Sequence, residues 1–459
     1  MAMMDISTEG EHIVHPIDSR YKVEEMNRIW EEENQLQKML DVEAALSLAI
    51  SEMKPELVSP DDARVIKENA TITKVKLSRT KQIESEIHHD VMAVVKALAE
   101  QSGEAGGKIH LGATSADITE TAKAMLVNES IDLILEDSKK LLEALVKRTE
   151  ETKDWVCIDR THGQHAVPTT YGFKIAGYLD QVGVIIERLE GDKKYAVGKI
   201  AGAVGTANSY TELGLDAIVL EREVLKSLGV QANAHSRQLP PRDNFLFIMS
   251  DLTIYANILD KIAGDLWNLC RTEIGEVTEA TSSKQVGSST MPHKKNPFRL
   301  ERVMGMSAIL RGDLVTEFEL NFSHARDLKQ SAPYRYRYPE FFITLDYMIR
   351  MMTNLITFMK IDKQKAYDNV FFTKGSVMAE RVMTELAESG MDRQAAHERV
   401  KQLAWKAMSE NKMLVDFLLN DAEIAKYLSE DKLRELMNPE TYLGIASLKT
   451  QMIIDKYKR

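Results

Sequence analysis

Between Pro241 and Val277 the apolar residues Phe245, Ile248, Leu252, Tyr255, Leu259, Ile262, Leu266 and Leu269 recur at alternating intervals of three and four. That spacing is a heptad seam, sustained for more than three repeats without an interrupting proline, and it predicts one long helix. At 1.5 Å per residue such a helix spans roughly 50 Å, so it needs partners of similar length. Segment 116–150 supplies one, with Val127, Ile131, Ile134, Leu141 and Leu145 on the seam and Ser138 as its polar break. Its start is expected at Thr114, which stands before Asp117 in capping-box-like spacing. Further long helices are expected after Pro168 to about Tyr195, from Arg299 to about Phe322, and over about 339–365.

The flanking regions read differently. Residues 1–113 give shorter helices, broken by Pro55, Pro60 and the Gly103, Gly106, Gly107 cluster. Beyond about Ala366, short helices alternate with stops such as Gly390-Met391-Asp392 and Asn438-Pro439, where Gly ends one helix and Asp caps the next. No segment has a convincing period of two, so no strand is expected. The expected architecture is all-α with three helical domains, 1–113, 114–365 and 366–459. The long helices of the middle domain would form a bundle shared between subunits.

Composition agrees with helix. Only 23 Gly and 11 Pro occur in 459 residues, against 23 Met and abundant Leu, Ala, Glu and Lys. No run approaches the roughly 18–20 uncharged apolar residues of a membrane span. Met1 to His15 has neither a basic nor an apolar leader region and is not read as a signal peptide. Cys157 and Cys270 have no metal-ligand or redox spacing, which fits a reducing, cytoplasmic setting. The net charge of −11 argues against nucleic acid as a partner. An anionic small molecule remains possible where cations gather locally.

Three polar breaks interrupt the helical pattern: IHLGATS at 109–115, DRTHGQHAVPTT at 159–170 and TSSKQVGSSTMPHKKNP at 281–297. The string from Gly287 to Pro297, GSSTMPHKKNP, resembles the signature loop of the fumarase/aspartase superfamily. Arg160-Thr161-His162-Gly163-Gln164-His165-Ala166 and Gly112-Ala113-Thr114-Ser115 resemble its other two shared regions, in the family's order. Further stretches resemble the adenylosuccinate lyase branch. They are Arg20-Tyr21, the His89-Asp90-Val91-Met92-Ala93 run after His88, the Gly198–Thr206 glycine-rich segment, and Gln238 ahead of Arg242-Asp243. Arg326, Ser331 and Arg335 keep the spacing of that family's phosphate-binding residues, and the likeness continues through Gly390-Met391-Asp392-Arg393 and Tyr442-Leu443-Gly444. Segment 323–334 departs: Ala325 stands where the family commonly has Glu, and Pro333-Tyr334 are unusual there.

The resemblance implies elimination of fumarate from a succinyl nucleotide, without a cofactor. The C–H beside a carboxylate is weakly acidic, so the developing charge needs donors aimed at it. By resemblance these are Lys294 and Asn296, with Ser288 as general base. His162 is the general acid, a role suited to a group titrating near neutrality, and Glu301 orients it. His89 assists. Arg20, Tyr21, His88, Asp90, Thr114, Ser115, Gln238, Arg302, Arg326, Ser331 and Arg335 are expected to bind the nucleotide, whose phosphate and carboxylates carry about four negative charges. His165 and His293 read as structural. The family builds each site from three subunits of a homotetramer, and that assembly is implied here as well. A sister lyase acting on argininosuccinate or a carboxymuconate, and a non-catalytic descendant, stay open as alternatives.

Overall fold

The structure is a computed structural model that describes residues 14–280, 290–291, 293–323 and 331–458. It divides into two compact units. One comprises Met1–Ser138, Ile185–Leu259 and Gly305–Arg350; the other comprises Lys139–Val184, Asp260–Met304 and Met351–Arg459. The long helices Ser115–Thr152, Tyr171–Asp192, Asp243–Leu269, Phe298–Leu320 and Ser331–Phe358 each contribute to both.

The seams are buried as their spacing requires. Every seam residue from Phe245 to Leu269 lies in the core, as do Val127, Ile131, Ile134, Leu141 and Leu145. Burying one such aliphatic side chain contributes about 1.5–3 kcal/mol, so the repeat itself drives the helices together. The polar break is satisfied rather than exposed. Ser138 donates to the Ile134 carbonyl at 2.6 Å and accepts the Tyr255 hydroxyl at 2.9 Å.

In the first unit, Glu32–Met53, Pro60–Asn69 and Asp90–Ser102 pack around Leu36, Leu40, Ile66, Val94 and Leu98. Ser59 and Asp62 form a full capping box at the start of Pro60–Asn69. In the second unit, Ala379–Glu388, Arg393–Ser409, Leu414–Leu419 and Glu430–Leu436 enclose Val382, Leu386, Val400, Leu414, Leu418 and Leu433. Its punctuation follows the sequence. Gly390 takes φ +98°, and the Asp392 carboxylate accepts the N–H groups of Gln394 and Ala395.

Strands are present, against the expectation of none. Val156–Thr161 and Gln164–Thr170 form an antiparallel hairpin. Val197–Gly198 pairs in parallel with Gln231–Ala232, and Val277–Thr278 pairs antiparallel with Lys360–Ile361. These pairings also shift helix ends. The helix expected to reach Val277 stops at Leu269, and the chain turns through Gly275 at φ +64° before Val277 joins its strand. The helix expected over about 339–365 runs Ser331–Phe358 instead. It carries Pro339 inside it and ends where Lys360 enters a strand and Asp362 caps the next helix.

Among the described residues, no helix is long and apolar enough to cross a membrane. Cys157 is buried and Cys270 half-buried, both as free thiols.

Candidate active site

The first unit contains a cavity of about 510 Å³ whose lining includes His89, Asp90, Ser115, Gln238 and Arg335. Helix ends place these groups. Ser115 is the first residue of its 38-residue helix. His89 is the N-cap of Asp90–Ser102, where its Nδ1 accepts the Met92 N–H at 3.2 Å. An accepting Nδ1 leaves the proton of the neutral ring on Nε2, so the imidazole offers a donor beyond the cap. Asp90 takes the Arg335 guanidinium, and its Oδ1 accepts the Val91 N–H at 2.8 Å. Arg335 remains 59% exposed in this pair. His88 closes the preceding helix in the left-handed region at φ +55° and is exposed.

A buried ionic staple fixes the first polar break. Asp117 pairs with Lys199 and also accepts the N–H groups of Thr114, Ala201 and Gly202 at 2.9, 3.0 and 3.1 Å. The Thr114 contact is the carboxylate half of the expected capping box. Gly112 has φ +77°, and a Cβ there would lie 2.8 Å from the Tyr210 ring, so only glycine fits. His110, two residues before, takes φ +62°, and its Nδ1 lies 2.7 Å from Oε1 of the fully buried Glu43. Burial alone would lower the His110 pKa. The hydrogen bond and charge of Glu43, with Asp117 adding, outweigh burial and raise it. Sequence reading passed over His110, although it lies inside the quoted IHLGATS run. Of the other first-unit candidates, Arg20 is exposed, and the Tyr21 ring meets Tyr347 edge-on at 5.3 Å.

In the second unit, His162 sits at the tip of the Val156–Thr170 hairpin. Thr161 pairs with Gln164, so the turn has two central residues, His162 at φ +54° and Gly163 at φ +75°. Positive φ at both positions is the type I′ pattern that matches strand twist. The imidazole is thereby presented to solvent. Below the tip, Arg160 donates to Glu276 at 3.0 Å, and Glu276 also accepts from the Tyr171 hydroxyl and Asn369 at 2.8 Å each. Lys174 donates to the Ile158 carbonyl at 2.8 Å. His165 faces Phe372 at 5.6 Å. Burial, with the charges of Arg160 and Lys174, lowers its pKa.

The second unit also holds the described part of the third break. Lys294 is exposed, with its N–H on the Met291 carbonyl at 3.0 Å, and Asn296 is half-buried. Glu301 accepts the Trp267 indole N–H at 3.2 Å. The Arg302 guanidinium lies 5.7 Å from the Phe298 ring centre. In the first unit, Ser331 opens its helix. Ser288 and Arg326 lie outside the described residues.

Comparison with known proteins adds a family to this geometry. The family described as Lyase matches residues 19–312, and Adenylosuccinate lyase C-terminus matches residues 375–451. The adenylosuccinate lyase of Pyrococcus abyssi is 47% identical over 435 residues, covering 94% of this chain and 95% of that protein. The adenylosuccinate lyase of Methanocaldococcus jannaschii is 42% identical over 451 residues, 97% of this chain and 96% of its own. The chain belongs to the adenylosuccinate lyase family.

Within the adenylosuccinate lyase family the chain keeps the superfamily's backbone. The 3-carboxy-cis,cis-muconate lactonizing enzyme from Pseudomonas putida superposes with a TM-score of 0.87 at 27% identity, covering 96% of this chain and 99% of that one. A fumarate lyase from Mesorhizobium sp. BNC1 shares the fold with a TM-score of 0.85 at 24% identity, over 95% of this chain and 98% of its own. Backbone similarity thus extends across chemistries. Identity above 40% over nearly the full length links the chain to adenylosuccinate lyases.

Proposed function

We propose that this protein cleaves adenylosuccinate to AMP and fumarate, and acts likewise on SAICAR to give AICAR, as a carbon–nitrogen lyase of purine nucleotide biosynthesis. The observation that carries the reading is identity of 42–47% to adenylosuccinate lyases over nearly the whole chain. The lactonizing enzyme, at 27%, is a much weaker guide to substrate.

In this reading Ser288 removes the proton beside the succinyl carboxylate. Lys294 and Asn296 hold the carboxylate whose charge grows as that proton leaves. His162 protonates the departing purine nitrogen, with Glu301 orienting it. Support for His162 comes from its exposed position at a turn whose strands are anchored by Glu276, which leaves the ring accessible to a ligand. At the nucleotide end, Arg335, Ser331 and Arg326 take the phosphate, joined by Arg20, Tyr21 and His88. His89, Asp90, Thr114, Ser115, Gln238 and Arg302 complete the contacts. The shared cavity of His89, Asp90, Ser115, Gln238 and Arg335 supports this grouping.

The proposal includes a cytoplasmic homotetramer in which neighbouring subunits complete each site, with 114–365 as the domain of association. Large apolar residues stay exposed on two long helices, among them Phe247 and Ile254 on one and Ile309, Val315 and Phe318 on the other. Such surface is what a packed partner covers.

The deciding experiment incubates purified protein with adenylosuccinate and follows the purine absorbance together with fumarate release. An inert result, alongside turnover of argininosuccinate or a carboxymuconate, would reject the substrate assignment. Light scattering at assay concentration tests the tetramer, and a monomeric active species would remove it.

A further inference from the structure

Side chains from the helices that carry Ser115 and Arg335, and from the helix that follows Gln238, converge on one ammonium group. Lys123 lies on the Ser115–Thr152 helix and lines the same cavity. Its Nζ donates to Glu120 at 2.7 Å. The same Nζ stands 4.5 Å from the ring centre of Tyr334, the residue before Arg335, and 5.1 Å from that of Phe245, on the helix that follows Gln238. Arg242, ahead of that helix, reaches Glu120 at 3.8 Å and Glu317 at 3.2 Å. The side chains of Glu120, Lys123, Arg242 and Glu317 are only 2–5% exposed.

A buried ion cluster is weak grounds for stability, because desolvation offsets most of the attraction. Its worth lies in fixing geometry. Two cations face two carboxylates, and that balance holds only while Lys123 keeps its proton. Burial, with the Arg242 charge opposing Glu120 and Glu317, pushes the ammonium down to about 8. The phenols of Tyr334 and Tyr338, which also face the cluster, are driven far up by burial and do not titrate there. A neutral amine loses both the ionic contact and the attraction to the ring faces.

We propose that Lys123 is a positioning residue for nucleotide binding, its ammonium holding together the cavity walls that bear Ser115, Gln238 and Arg335. The inference rests on the adenylosuccinate reading above, and it assigns Lys123 no contact with the reacting atoms.

The test is steady-state kinetics of the full-length enzyme on adenylosuccinate from pH 6.5 to 9.5, for wild type, Lys123→Met and Lys123→Arg. Lys123→Met raises KM about tenfold, the equivalent of one charge-assisted contact, while kcat falls no more than about threefold. Wild-type KM rises above pH 8, and that rise is absent in Lys123→Arg, whose guanidinium stays charged. Should Lys123→Met fail to fold, the comparison of wild type with Lys123→Arg decides alone. A KM for Lys123→Met within twofold of wild type, or the same alkaline rise in Lys123→Arg, overturns the inference. If wild type leaves adenylosuccinate intact, the reading and the inference fall together; if wild type is active and only the variant pattern fails, Lys123 alone is misassigned.

Discussion

Asp117 and Lys199 form an ion pair in which neither side chain has any exposure, and the same carboxylate gathers the N–H groups of Thr114, Ala201 and Gly202. It ties the start of the Ser115 helix to the glycine-rich segment. Lys199→Met leaves that carboxylate buried without its cation. Breaking such a pair from one side costs about 3–5 kcal/mol. A thermal melt should show a lowered midpoint, and an unmoved one would mean the backbone donors suffice alone.

Chemistry should separate from folding at the proposed reacting residues. Ser288→Ala abolishes turnover. His162→Asn lowers it by about a hundredfold to ten-thousandfold, the usual share of a general acid, and asparagine tolerates the left-handed turn. Lys294→Ala lowers kcat by about a hundredfold to a thousandfold. Lys294 and His162 are exposed, so circular dichroism and melting should barely change. Near-normal kcat in any of the three removes that residue from the mechanism.

Arg335 is assigned to the phosphate. Arg335→Ala therefore raises KM for adenylosuccinate by about tenfold to a hundredfold, the worth of a charged hydrogen bond. The corresponding nucleoside, lacking phosphate, should be affected far less. Equal losses on the two substrates would place Arg335 elsewhere.

The His110–Glu43 pair predicts a pH dependence of stability. The folded-state pKa of His110 is raised by Glu43 and Asp117 despite burial. A raised histidine pKa contributes stability fully below the unfolded value of about 6.5, and that contribution is lost as pH climbs through the folded value. Between pH 6 and pH 8 the melting temperature of wild type should fall more than that of His110→Gln. Parallel curves would discount the pair.

The long helices were legible because their seams repeat: the seam residues from Phe245 to Leu269 are all core, as their spacing required. The hairpin was not. Val156–Thr161 and Gln164–Thr170 lack clean alternation, and the signal that remained was His162-Gly163, a pair suited to a two-residue turn. Lys123 was missed for another reason. A lysine at a helical position reads as solvated, and its burial emerges only when Glu120, Arg242 and two aromatic rings close over it. His110 lay in plain view, but nothing local pointed to Glu43, 67 positions earlier.

The pairing of Arg335 with Asp90 makes the cavity carry its own competitor. On the proposed reading, an arriving phosphate must evict a carboxylate already seated on the guanidinium, so it gains less on binding than a free guanidinium would give. The same exchange run backwards helps the spent nucleotide leave. A site that must empty after each cycle gains turnover from an internal anion that a bare arginine, waiting in water, would not provide.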